Sequence, residues 1–158
     1  MKKFFGLLLG LLAIAGVQAA RVPSTVSATF HKLYPDASVR KWETGKNAYL
    51  VKFRMHNANY VATFAADGNW ERTERKYALT YGLPAQVKEG FKHSGYADCE
   101  IDGIREVNAP NRHDYVIWVD DGNFYDSDHH DNFTQGYLLY FSPDGHMEKT
   151  RQTDKQPE

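Results

Sequence analysis

The sequence predicts an α+β domain of two tandem units, each a helix followed by four antiparallel strands. In each unit the helix covers one face of its own strands. Three observations predict it. A ten-residue phrase occurs twice, as Phe64-Ala-Ala-Asp-Gly-Asn-Trp-Glu-Arg-Thr73 and as Phe141-Ser-Pro-Asp-Gly-His-Met-Glu-Lys-Thr150. Each copy sets Asp-Gly between an alternating apolar run and a polar run, the short-range signature of a hairpin. A second pair, Val22-Pro23-x-x-Val26-x-x-x-Phe30 and Leu83-Pro84-x-x-Val87-x-x-x-Phe91, places apolar residues at i and i+4 just after a proline. That is one face of a helix whose start tolerates the missing proline N–H. After each of these segments the apolar period becomes 2, the strand period.

In chain order, Lys2 and Lys3 precede an apolar run from Phe4 to Val17 and the small-residue exit Gln18-Ala19-Ala20. This reads as a cleavable secretory signal over residues 1–20, cut after Ala19 or Ala20. The run is too short for a comfortable membrane span, which needs about 20 apolar residues. No cysteine lies near the cut, so no lipid anchor on a processed N-terminal Cys is expected, and location is periplasmic or secreted. The first helix should run from Ser24 to Leu33 and stop before Tyr34-Pro35. Strands follow at Ser38–Glu43, Tyr49–Met55, Tyr60–Ala65 and Trp70–Lys76. The breakers Thr44-Gly-Lys-Asn47, His56-Asn-Ala58 and Asp67-Gly68 lie between them. The second helix should run from Ala85 to His93 and end at Ser94-Gly95. Its strands are Glu100–Val107, Tyr115–Asp120, Tyr137–Ser142 and Met147–Arg151. Residues 21–151 thus form a single domain of two repeats, 22–80 and 83–151, with 152–158 a flexible polar tail. At roughly 138 residues after processing, such a domain buries about two thirds of its unfolded surface and needs no staples.

Aligning the copies separates the two faces of the sheet. Tyr49, Val51 and Phe53 align with Tyr115, Ile117 and Val119, and Tyr60, Ala62 and Phe64 with Tyr137, Leu139 and Phe141. Apolar in both copies, they should meet the helices. The opposite face reads Leu50, Lys52, Arg54, Val61 and Thr63 in the first half, a wet surface. In the second half the same positions are Val116, Trp118, Leu138 and Tyr140. Large apolar residues on a face with no helix over it mark an interaction site unless the sheet curls or a tail folds back to bury them, and Trp and Tyr are enriched in binding hot spots. Trp42 and Trp70, near strand ends, are expected to extend that surface. The register between halves also places a few extra residues near Asn108–His113. About eleven more fall between Val119 and Gly136, in the segment Asp120-Asp-Gly-Asn-Phe-Tyr-Asp-Ser-Asp-His-His-Asp-Asn-Phe-Thr134. Its carboxylates, Asp126 and Asp128 among them, read as a solvated hairpin tip or as an acidic tip for a basic pocket on a partner, and Phe124 and Tyr125 favour recognition over plain solvation.

Composition excludes several function classes. Lys2 and Lys3 are two of 19 basic residues, so the processed chain carries 17 against 20 acidic ones. Neither nucleic acid nor an anionic membrane is implied as a partner. Cys99 is the sole cysteine, so no intrachain disulfide forms. Asp98 and Glu100 flank it and would raise rather than lower its pKa, so it reads as a small buried apolar residue. No Gly-x-Ser-x-Gly, His-Glu-x-x-His or phosphate-cradling loop occurs, and no catalytic residue, metal or cofactor is assigned. The acidic loop follows no EF-hand spacing. Nonetheless Asp120–Asp131 is where an alternative function, a small-ligand or Ca²⁺/Zn²⁺ sensor, would be seated.

The set Val22, Pro23, Val26, Phe30, Tyr34, Pro35, Ala37, Val39, Trp42, Phe64, Asp67, Gly68 and Trp70 resembles the pattern of PepSY-like proteins related to β-lactamase-inhibitor protein. The resemblance spans nearly the whole processed chain and is closer in the first half. It implies a bacterial periplasmic or exported tandem-repeat α+β domain in which the two repeats form one long antiparallel sheet, helices on one face and the concave side open. In the inhibitor, that open side and two projecting hairpins grip an enzyme, with an acidic turn entering its active site. Here the first-half hairpin at the matching place, His56-Asn-Ala-Asn59, has no carboxylate, and the acidic loop belongs to the second half. The function expected is an exported non-enzymatic protein-binding module whose partner is another exported protein, an enzyme being one such partner. Weak self-association through the open face or an edge strand is a further expectation.

Overall fold

The computed structural model describes residues 22–120 and 136–153. The expected leader, most of the expected loop and the last five residues lie outside the described residues. Helix α1 (Ser24–Leu33) is followed by β1 (Ser38–Thr44), β2 (Ala48–Met55), β3 (Ala58–Ala65) and β4 (Trp70–Tyr77). A short 3-10 turn (Thr80–Gly82) leads into α2 (Ala85–Lys92), then β5 (Glu100–Ala109), β6 (Arg112–Asp120), β7 (Gly136–Phe141) and β8 (Met147–Thr153). The eight strands form one sheet in chain order, every neighbouring pair antiparallel. The α+β class predicted from the doubled phrase is the one observed.

Both helices open on proline, whose carbonyl accepts the first helical bond, from Ser27 N and from Lys88 N at 3.1 Å each. Val26 and Phe30 of α1 are fully buried against Val51, Phe53, Ala62 and Phe64, with the Phe30 and Phe53 rings 5.2 Å apart, edge to face. Val87 of α2 is buried with Ile117, Val119, Leu139 and Phe141. Each such side chain contributes about 1.5–3 kcal/mol by leaving water. The two cores therefore lie on the same face of one sheet. Cys99 packs, partly buried, against the second core.

The doubled Asp-Gly does more than turn the chain. Gly68 and Gly145 have φ of +92 and +89, a backbone region costly to any residue with a Cβ. Each turn also leans on the first turn of its own helix. A Cβ on Gly68 would stand 3.2 Å from Thr25 backbone, and one on Gly145 would stand 2.2 Å from Gln86 O. Thr25 and Gln86 occupy the same place, two residues past the opening proline. The phrase thus ties the last hairpin of each half to the start of its helix.

Three details differ from the sequence reading. The turn between β2 and β3 is the tight pair His56-Asn57, at φ 48 and 61, so Ala58 already belongs to β3. The extra residues near Asn108–His113 lengthen β5 and β6, leaving only Pro110 and Asn111 between them. Gln152 and Thr153, expected in the tail, pair with Tyr137 and Gly136 as the end of β8.

Candidate functional site on the open sheet face

Antiparallel register assigns each side chain to a face. Val116 pairs with Tyr140 and Trp118 with Leu138, so these four are cross-strand neighbours, and they point away from the helices. All four are half-buried and line a groove of about 580 Å³. Arg72, Glu74 and Lys76 of β4, Asp102, Gly103 and Arg105 of β5, and Arg112 of β6 complete its walls. Long polar side chains partly cover the apolar floor: the Arg112 guanidinium lies 5.3 Å and the Lys149 ammonium 5.6 Å from the Tyr140 ring centre. The Trp118 indole rests against Gly136, where a Cβ would stand 2.8 Å from Nε1. Only glycine allows the ring to lie so close.

The polar wall is largely paired. Glu74 accepts from Arg72 at 2.7 Å and from Arg105 at 2.9 Å, and Arg112 pairs with the buried Asp114. Two buried atoms have no partner among the described residues, Asp102 Oδ2 and Trp118 Nε1. Burial pushes the Asp102 carboxyl up to about 6, helped by its hydrogen bond to Asp120 and by the negative charges of Asp120 and Glu100. A carboxyl with that environment holds a proton under mildly acidic conditions. In the first half the same face carries exposed Lys52 and Arg54, with Glu43 bridging Lys41 and Lys52 at 3.0 Å each.

Of the residues expected at the site, Val116, Trp118, Leu138 and Tyr140 come together on the open face. Trp42 and Trp70 do not, and the expectation for both is corrected. Each packs into the first core on the helix side. Trp42 lies opposite Val51 with its ring 5.5 Å from Phe30. Trp70 lies opposite Phe64 and donates from Nε1 to Thr73 Oγ1 at 2.9 Å. The cause is a bulge in each strand: the register slips between Val39 and Lys41 and again beside Phe64. One extra residue reverses which face the following side chains take. Phe124, Tyr125, Asp126 and Asp128 lie outside the described residues. The groove's cations were not singled out from sequence. Alternation applied to β4, β5 and β8 finds Lys76, Arg105 and Lys149, whereas Asp102 and Gly103 are hidden by the bulge between Ile101 and Gly103.

Fold and groove together define a helix-on-sheet α+β protein whose second face is aromatic-floored and, among the described residues, carries no helix. Among the described residues no helix is long and apolar enough to cross a membrane. The family model described as "Putative beta-lactamase-inhibitor-like, PepSY-like" matches residues 14–58 and 47–149. The chain belongs to this PepSY-like family. It is similar to a solved DUF2874 family protein from Bacteroides ovatus, 27% identical with TM-score 0.69, covering 82% of this chain and 86% of that one. It also shares its fold with a BLIP-like protein from Bacteroides fragilis, at 22% identity and TM-score 0.73, covering 86% and 89%. A third, a "putative periplasmic" protein from Bacteroides eggerthii, is 21% identical with TM-score 0.63 over 83% and 88%. No curated protein matches the chain.

Proposed function

We propose that the chain is an exported, non-enzymatic protein-binding module that takes its partner on the open face of the second half, and that it inhibits an exported enzyme. The observation that carries this reading is the Val116–Trp118–Leu138–Tyr140 floor. These are half-buried apolar side chains on adjacent strands, with no helix over them among the described residues. A sheet face that served only as a wet surface would be polar there, as it is at Lys52 and Arg54. The family description and the B. fragilis neighbour's BLIP-like name support a binding role. Export is supported by the basic-then-apolar start of the sequence and by the name of the B. eggerthii neighbour.

The test is capture of partners from a periplasmic extract by the wild type and by a Trp118→Ala, Tyr140→Ala double variant. Loss of specific bands from the double variant is expected, and identical partner sets would remove the open face from the mechanism. Any captured enzyme is then assayed with and without the module for inhibition.

A further inference from the structure

We propose that the groove receives an acidic segment of the partner protein, apolar contact going to the Trp118–Tyr140 floor and carboxylates to a row of cations across the sheet. This rests on the binding reading above and names the partner's chemistry. The row follows from register: Lys76 faces Arg105, Arg105 faces Val116, Val116 faces Tyr140, and Tyr140 faces Lys149. Five successive strands thus carry three cations and no acid in one line. Lys76 and Lys149 have no carboxylate partner among the described residues, and Arg105 shares Glu74 with Arg72. The chain as a whole has a net charge of −1, so the cationic line is a local feature that attracts and orients an anionic partner. A polyanionic sugar could meet the cations, but the aliphatic Val116 and Leu138 between them favour a segment with apolar side chains of its own. Beside Trp118, across the β5–β6 pair, Gly103 leaves open space: nothing lies within 4 Å of where its Cβ would be. That space is room for an incoming side chain.

The same glycine supplies a clean block. A random short-peptide phage library is panned on the full chain, with Gly103→Val as counter-selection and Gly95→Val as control, Gly95 being equally unobstructed and outside the groove. Peptides that bind wild type and Gly95→Val but not Gly103→Val should carry a surplus of Asp and Glu around an apolar anchor. Their affinity should drop about tenfold between about 50 and about 500 mM NaCl. The exposed pair Lys76→Glu, Lys149→Glu should abolish the same binding, and it decides the matter should Gly103→Val not fold. Groove-dependent peptides that come out neutral or basic overturn the acidic assignment while leaving the binding face in place. Recovery of no groove-dependent peptide overturns both. Dextran sulfate binding that Gly103→Val abolishes, without peptide enrichment, overturns it in favour of a glycan. Dimerisation in sedimentation that Gly103→Val abolishes overturns it in favour of a second copy.

Discussion

At Gly145 the backbone is left-handed, with φ +89, and a Cβ would stand 2.2 Å from Gln86 O. Gly145→Ala therefore meets two penalties at once, about 1–3 kcal/mol for the strained φ and a further loss as α2 is pushed off the turn. Gly68→Ala, with its nearest atom at 3.2 Å, should cost less, and urea unfolding of the two variants checks the order. Asp102 acts in the opposite sense. Its folded pKa stands at about 6, above the ordinary 3.8, so between those values the folded chain binds more protons than the unfolded one. Stability contributed there is present at low pH and declines as pH rises from about 4 through about 6. Asp102→Asn keeps a hydrogen-bonding group beside Asp120 and cannot ionise. It should match wild type near pH 4 and exceed it in Tm at pH 7. A variant less stable than wild type at pH 7 would contradict the sign.

At the scale of elements, helices and hairpins were legible because their periods are local. Val26 and Phe30 after Pro23, with the stop at Tyr34-Pro35, mark the first helix, and Val87 and Phe91 after Pro84, with the end at Ser94-Gly95, mark the second. The face of Trp42 and Trp70 was not legible, because one bulge residue in β1 and one in β4 reverse the alternation on which that reading depends. Nothing in the side chains of Arg40 or Glu71 announces a bulge; it shows only in the pairing with the neighbouring strand. The same holds for the groove, whose floor was readable from β6 and β7 while its walls required the β4–β5 pairing. Helix α2 supplies the test of how far tertiary context overrides propensity. Gly90 sits inside α2, where replacing Gly by Ala normally gains about 1 kcal/mol. Here an added Cβ would stand 2.0 Å from Gly145 O. Gly90→Ala should therefore destabilise, and a raised Tm would show that the turn yields easily.

Across the whole molecule, two cores, one under each helix, are joined through the centre of the sheet. Strands β4 and β5 share a five-pair register from Thr73–Asn108 to Tyr77–Ile104. The junction is also clamped at one carboxylate: Glu106 accepts from the Tyr77 hydroxyl at 2.8 Å and the Tyr115 hydroxyl at 3.4 Å, and meets His113 Nε2 at 2.9 Å. Tyr77 belongs to the first half, Tyr115 and His113 to the second. Burial and the Glu106 charge raise both phenols above the usual range, Tyr115 to about 12. Glu106→Ala removes the acceptor shared by two partly buried hydroxyls and leaves them only each other, at about 1–3 kcal/mol, so the variant should unfold at clearly lower urea. Whether the halves still unfold together can be read directly. In a Trp118→Phe background the remaining indoles, Trp42 and Trp70, both sit in the first core, so fluorescence follows that half while far-UV circular dichroism follows both. Because the β4–β5 ladder survives the substitution, the two midpoints should coincide in Glu106→Ala as in the parent. Midpoints that separate would mean that the carboxylate clamp, rather than the continuous sheet, makes the two repeats a single cooperative unit.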